Sequence, residues 1–328
     1  MKKKIFAILT LLALVMFAGC KKKPEPVEPD PRPMEEAVDL TKTDAENSFE
    51  VNPPLFKVTD RNTGAVVYMM GSMHVGKPGA VYSQALVDAI DECDTLAVEL
   101  DLIAFEQDFL AATEAMQILM CPFGTTVADY MGGDYERIMQ AFTDRGLYSP
   151  LYEQYIPAMW SSLWSNQLAM ECGYDANYGT DRLLLQYAKQ QGKIIDEIES
   201  AAEQYQVEAS ASAEFQMYTL NQTIELTANE AQEQFDILYD AWKTGDMETL
   251  NALATEEDDS LSGTLKADYE AYYDAMYTNR QKKMSDYVIS QLQAGKKTFV
   301  VVGAMHYAAP PSILDNLAEN GYTVETLS

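Results

Sequence analysis

The stretch AVVYMMGSMH, residues 65–74, is an apolar run that leads through Gly71 to a histidine, His74. The stretch FVVVGAMH, residues 299–306, repeats this order near the C-terminus and ends in His306. These are the two histidines of the 328-residue chain, and both stand in a Gly-x-Met-His frame. Short apolar runs predict buried strands, and the ends of strands are rigid positions from which a loop opens to solvent. Each frame therefore predicts an imidazole at the end of a core strand.

Other strand patterns lie mainly towards the two ends of the chain. Residues 55–59 and 65–70 flank Arg61-Asn62-Thr63-Gly64, which predicts a β-hairpin. Helical spacing is present over residues 83–92. Further strands are predicted at 95–100, 193–198, 297–302 and 322–327. The middle of the chain predicts helices near residues 103–118, 134–145, 151–171, 180–191, 203–225, 229–243 and 264–293.

This order of elements predicts an α/β fold. The backbone groups of the apolar runs near 65–75 and 297–307 need hydrogen-bonding partners, so we expect both runs in one central mixed sheet. The repeated frame suggests that the sheet is built from a duplicated strand–Gly-x-x-His–helix unit. We expect the helical insertion, roughly 102–292, to form a cap over the site.

The N-terminal residues are typical of a targeting segment rather than of folded structure. Lys2-Lys3-Lys4 precede an apolar segment, and Phe17-Ala18-Gly19-Cys20 resembles a bacterial lipobox. We therefore expect residues 1–20 to be a lipoprotein signal peptide, with Cys20 lipidated and the chain attached to a bacterial membrane outside the cytoplasm. Alternating prolines and acidic residues predict a tether over 21–50, which leaves 51–328 as the folded domain.

The charge of the chain excludes one class of partner. The formal net charge is −28 at pH 7, which repels nucleic acid. The chain also lacks a Gly-x-Ser-x-Gly nucleophile elbow, a phosphate-binding Gly-x-x-x-x-Gly-Lys loop and a His-Glu-x-x-His zinc motif. We expect a peptide or small-molecule substrate instead.

The two histidines suggest a metal centre or an acid–base site. Two neutral imidazoles and one carboxylate suit a divalent cation with open positions, and Glu99, at the end of a predicted strand, is the best carboxylate candidate. Glu199 follows the 193–198 strand and is a second candidate. The fork of Arg280 would stabilise an oxyanion or position a carboxylate.

A set of motifs recurs in order along the chain: Gly71 and His74, Glu99-Leu100-Asp101, Gly179, Asp181 and Leu183, Gly192-Lys193, Glu199, Arg280 to Met284, and Gly303 and His306. This order resembles the TraB/PrgY/GumN family, which includes Tiki-type proteases and is related to erythromycin esterases and the haem-binding ChaN lipoprotein. The chain departs from the family at Gln281, where the family usually has Asn, and in the proline-containing segment 307–311 after the second frame.

The resemblance implies that both frames form one site. For the Tiki branch it implies metal-dependent peptide hydrolysis, in which His74, Glu99 and His306 would bind Mn²⁺, Co²⁺ or Zn²⁺, with Arg280 and Glu199 assisting. For the esterase branch it implies metal-free hydrolysis, with His74 as general base. A third hypothesis is a non-catalytic lipoprotein that sequesters a peptide signal or haem.

Overall fold

The computed structural model describes residues 38–43, 45, 47–256, 258 and 260–328. The expected signal peptide over 1–20, with Cys20, lies outside the described residues, and so does most of the expected tether. No helix within the described part of the chain is long and apolar enough to cross a membrane.

The centre of the molecule is a six-stranded mixed sheet, which confirms the expected α/β class. The strand bounds are β1 Phe49–Val51, β2 Leu55–Thr59, β3 Val66–Ser72, β4 Ala80–Tyr82, β5 Thr95–Val98, β6 Ile194–Glu197, β7 Thr298–Gly303 and β8 Thr323–Thr326. Four neighbouring strands are parallel, in the spatial order β6, β5, β7, β3, and the sheet continues through β2 and β8. The antiparallel hairpin of β2 and β3 is the one predicted from the sequence.

The two frames lie on adjacent parallel strands. β3 pairs with β7 so that Ser72 stands opposite Gly303. Both strands are apolar on both faces, and most of their residues are buried because helices cover the two sides of the sheet; Val66, Tyr68 and Gly303 are half-buried. The sequence argument that these runs share one sheet is therefore confirmed, and His74 and His306 emerge from the same edge.

Helices fill the chain between the strands, largely where the apolar spacing predicted them. Three predicted helices are each divided in two. The predicted helix 151–171 is a 3₁₀ turn, Pro150–Gln154, followed by an α-helix that begins at Pro157. Asp108 accepts hydrogen bonds from the amides of Leu110 and Ala111 and starts a new helix within 103–118. Ser212 caps a new helix in the same way within 203–225. The bounds are α1 Gln84–Asp91, α2 Leu102–Gln107, α3 Phe109–Ile118, α4 Val127–Met131, α5 Tyr135–Asp144, α6 Pro157–Glu171, α7 Thr180–Gln190, α8 Ala201–Ser210, α9 Ala213–Ile224, α10 Ala228–Lys243, α11 Met247–Ala254, α12 Gly263–Tyr273, α13 Asn279–Gln293, α14 Met305–Ala308 and α15 Ile313–Glu319.

Packing begins N-terminal to the expected domain start at residue 51. Leu40 is only 3 % exposed and lies in the main hydrophobic core. Its carbonyl accepts a hydrogen bond from the amide of Tyr82, and β1 pairs in parallel with β4. The described residues of 38–50 therefore pack against the segment that follows His74.

Candidate active site

The carboxyl ends of the parallel strands gather the predicted site residues at one edge of the sheet. His74 follows β3, Glu99 follows β5, Glu199 follows β6 and His306 follows β7. The amide of Glu199 donates to the carbonyl of Glu99 at 2.9 Å, which continues the β5–β6 pairing past the strand ends. This edge is where open α/β sheets commonly bind their ligands.

Arg280, on α13, is held by two carboxylates. Its Nη2 lies 2.7 Å from Oε2 of Glu99 and 2.7 Å from Oε2 of Glu199, and its Nε lies 2.9 Å from Oε1 of Glu199. Gln204 adds a third donor to the same two carboxylates. All three charged residues are less than 9 % exposed. Burial opposes the charge of Arg280, but the two carboxylates outweigh it and raise the pKa of the guanidinium above its ordinary value. Arg280 is thus a fixed cation that orients Glu99.

The helix that carries Arg280 changes its winding next to the site. A π-turn, Asp274–Thr278, joins α12 to α13 without a break. Met276 and Tyr277 in this turn are buried against the site, and the Tyr277 ring lies 5.7 Å from the His306 ring. Such π-turns are frequent at functional positions because they re-aim side chains within a helix.

His74 has a carboxylate partner that sequence reasoning did not select. Its Nδ1 lies 2.8 Å from Oδ2 of Asp181, in the first turn of α7. The amide of Thr180 donates to the carbonyl of Met73 at 2.8 Å, so the start of α7 is docked onto the first frame. Gly179 permits this approach, since a Cβ there would lie 2.3 Å from the carbonyl oxygen of His74. The Gly179-x-Asp181 pattern in the sequence was the signal for this contact.

The His74–Asp181 pair favours a charged imidazole. Burial alone would lower the pKa of His74, but the charge and hydrogen bond of Asp181 outweigh it and raise the pKa to about 9. Burial likewise would raise the pKa of Asp181, but His74 lowers it below its ordinary value. At neutral pH the pair is therefore an imidazolium and a carboxylate, with Nε2 of His74 left to face the cavity.

His306 has the opposite charge preference. Burial and the nearby guanidinium of Arg280 lower the pKa of His306 well below its ordinary value, so the ring is neutral. Its Nε2 lies 3.8 Å from Oε1 of Glu99, and its Nδ1 has no hydrogen-bond partner among the described residues. Gln281 fixes the backbone there, because its amide donates to the carbonyls of His306 and Ala309. The departure from the usual Asn thus has a structural role.

A small void over Gly303 lies between these groups. A methyl carbon on Gly303 would lie 3.5 Å from Nε2 of His74, 3.4 Å from Oε1 of Glu99 and 3.8 Å from Cδ2 of His306. The two imidazoles are therefore separated, between those atoms, by at most the sum of two of these distances, about 7.3 Å. A water molecule or a reacting atom in this void would lie next to Nε2 of His74 and Oε1 of Glu99, with the ring carbon Cδ2 of His306 as its third neighbour.

The expected metal ligands are arranged differently from a three-ligand cation site. Oε2 of Glu99 is bound to Arg280, and Oε1 accepts the amide of Gly303 at 2.6 Å. A divalent cation on Glu99 would stand beside the guanidinium and compete with it. Within the described residues, no group of three or more His, Cys, Asp or Glu side chains has the placement to hold a metal ion. The set His74, Glu99 and His306 does not fit a cation as arranged.

Comparison with known proteins supports the resemblance drawn from the motifs. The model of the TraB/PrgY/gumN family matches residues 54–326, which include both frames and all five predicted site residues. No curated protein and no solved structure matches the chain. The match covers most of the sequence and both halves of the site, so the chain belongs to the TraB/PrgY/gumN family.

Proposed function

We propose that this chain is a hydrolase that cleaves an ester or amide bond with an acid–base pair of histidines. The observation that carries the proposal is the void over Gly303, which charged His74, neutral His306 and Glu99 all border. Two titratable groups whose surroundings push their pKa values apart are the usual arrangement of an acid and a base in one site.

Each group has a distinct role in this proposal. Nε2 of the neutral His306 ring, 3.8 Å from Oε1 of Glu99, accepts a proton from water as the water oxygen bonds to the carbonyl carbon, and Glu99 stabilises the imidazolium that forms. The His306 imidazolium then returns this proton to the departing alcohol or amine as the bond between that group and the carbonyl carbon breaks. The charged Nε2–H of His74 donates to the carbonyl oxygen as negative charge develops, and Asp181 holds that ring in position. Arg280 acts as a positioning residue, because it contacts Glu99 rather than the void.

The Gly303→Ala variant tests this assignment. The distances from the added methyl to its neighbours are ordinary van der Waals contacts, so the fold should accept the methyl while water loses its place. Activity on a panel of aryl esters and peptide anilides should fall at least ~100-fold, the usual scale for losing a positioned catalytic group. Gly133→Ala is the matched control, since a Cβ at Gly133 meets nothing within 4 Å.

Metal dependence is a separate outcome of the same assay. We expect the rate of hydrolysis to stay the same when a chelator is added and when Mn²⁺, Co²⁺ or Zn²⁺ is added. A rate that disappears with chelator and returns with one of these ions would refute the metal-free mechanism. If wild-type protein turns over no substrate but binds peptide or haem, the sequestering alternative replaces the hydrolase.

We further propose that the chain works as a lipoprotein outside the cytoplasmic membrane. The support is the sequence of residues 1–20, with its basic start, apolar segment and Ala18-Gly19-Cys20. Membrane fractions of the producing cell should contain the wild-type chain with lipid on Cys20. Cys20→Ala should remove the lipid, which mass spectrometry of the N-terminal peptide would reveal. An unmodified Cys20 in the native chain would contradict the proposal.

A further inference from the structure

The void over Gly303 belongs to a cavity whose lining residues form a polar and an apolar group. Its empty space is about 540 Å³, open solvent at the mouth included. The polar group consists of the site residues already described. The apolar group, here called the apolar wall, is formed by Met73, Leu238, Met276, Tyr277 and Met305.

Two of the apolar residues come from the repeated frames themselves. Met73 and Met305 each immediately precede the histidine of their frame, so each frame supplies one imidazole and one thioether side chain. The proposed hydrolysis uses the histidines and leaves the methionines without a role. Met73 is 6 % exposed although it lies at the end of a strand beside an opening. Methionine is unbranched and adapts to apolar groups of different shape.

The other apolar residues come from the helices that cover the site. Leu238 on α10 is 4 % exposed and lines the cavity. Met276 is equally buried, and its sulfur accepts a hydrogen bond from Nη1 of Arg280 at 3.2 Å. Met276 therefore joins the apolar wall to the group that orients Glu99. The lining residues on this wall carry no charge.

We propose that this wall is an apolar subsite that receives an uncharged alkyl or aryl group of the substrate, next to the bond that is cleaved. The binding of an apolar group does not depend on the proposed hydrolase function; only the position of that group next to the cleaved bond rests on it. Met73, Met276 and Met305 make the subsite tolerant of shape, because methionine side chains are unbranched and adaptable, so straight, branched and aromatic groups are all accepted. Charged groups are rejected, because the wall offers no partner for a buried charge.

Straight-chain carboxylates from acetate to octanoate are the probe, since a carboxylate can meet charged His74 while its tail enters the subsite. Binding is measured by calorimetry on the full folded chain. Affinity should rise by about 4-fold for each added methylene until the subsite is full. Leu238→Phe should abolish the gain beyond butanoate, whereas Leu238→Ala should move the optimum to longer chains. Leu151→Phe, at a position 68 % exposed, is the control and should match the wild type.

The outcomes separate this inference from the hydrolase proposal. An affinity that does not depend on chain length in the wild type overturns the subsite, whatever the variants do. Unchanged chain-length dependence in a folded Leu238→Phe variant also overturns it. Chain-length dependence that shifts as expected, together with no turnover of any ester or anilide, supports the subsite and refutes hydrolysis.

Discussion

Asp181→Asn is the most direct perturbation of the proposed site, because it removes the charge that keeps His74 protonated. The hydrogen bond between Nδ1 of His74 and Oδ2 of Asp181 is 2.8 Å long, and the pKa of His74 is raised to about 9. Relative to an ordinary value of 6.5, this corresponds to about 3 kcal/mol in favour of the charged ring. Without Asp181, burial becomes the dominant influence, and we expect the pKa of His74 to fall below 6.5.

The chain offers an unusually simple assay for this change, since it contains two histidines. The ring Cε1–H signals of labelled protein should comprise one that titrates near pH 9 and one that stays neutral while the fold persists. His306→Gln assigns the two signals. In Asp181→Asn the upper titration should disappear, whereas Asp286→Asn, an exposed surface control, should leave both signals unchanged.

Two results would refute the reasoning. If both wild-type rings titrate near their ordinary value, the opposed charge states do not exist and the acid–base assignment fails. If His74 still titrates near pH 9 in Asp181→Asn, another group controls its charge. A parallel loss of activity at neutral pH is expected, because His74 then lacks the proton that it donates.

Four further predictions follow from the packing around the site. Gly179→Ala should destabilise the chain by ~1–3 kcal/mol in urea unfolding, because its methyl would overlap the carbonyl of His74, whereas Gly133→Ala should change stability by less than ~0.5 kcal/mol. Arg280→Ala should cost ~3–5 kcal/mol, since it leaves two buried carboxylates without their cation; a loss below ~1 kcal/mol would show that the pair is not buried in solution. The contribution of His74 to stability should be complete below pH 6.5 and be lost as the pH rises through about 9, because its folded pKa is raised. The contribution of Asp181 should be present above pH 3.8 and be lost on acidification, because its folded pKa is lowered; a difference between wild type and Asp181→Asn that is independent of pH would contradict both.

Local patterns were sufficient for most of the elements. Apolar runs located the strands of the central sheet, and helical spacing located most helices, because each pattern reflects contacts repeated every two or four residues. The breaks at Asp108 and Ser212 were missed, since a polar residue within a helical pattern can either cap a new helix or face solvent. The short strands Phe49–Val51 and Ala80–Tyr82 were missed because three residues carry too little pattern to recognise.

The sequence by itself determined that four strand-end residues meet at the site. His74, Glu99, Glu199 and His306 each follow a strand, and parallel strands of one sheet bring their carboxyl ends to one edge. That conclusion needs only the order of apolar runs and the residues that follow them.

Only the tertiary structure decided what those residues are able to do. Asp181 lies 107 positions from His74. The Gly179-x-Asp181 pattern marks a helix start, but it does not say that this start docks on the first frame. Likewise, the sequence predicted Glu99 as a metal ligand. Only the position of α13 revealed that the carboxylate of Glu99 is hydrogen-bonded to Arg280. The charge of a buried group depends on which partners surround it in space, and burial and partners are fixed when distant segments pack together.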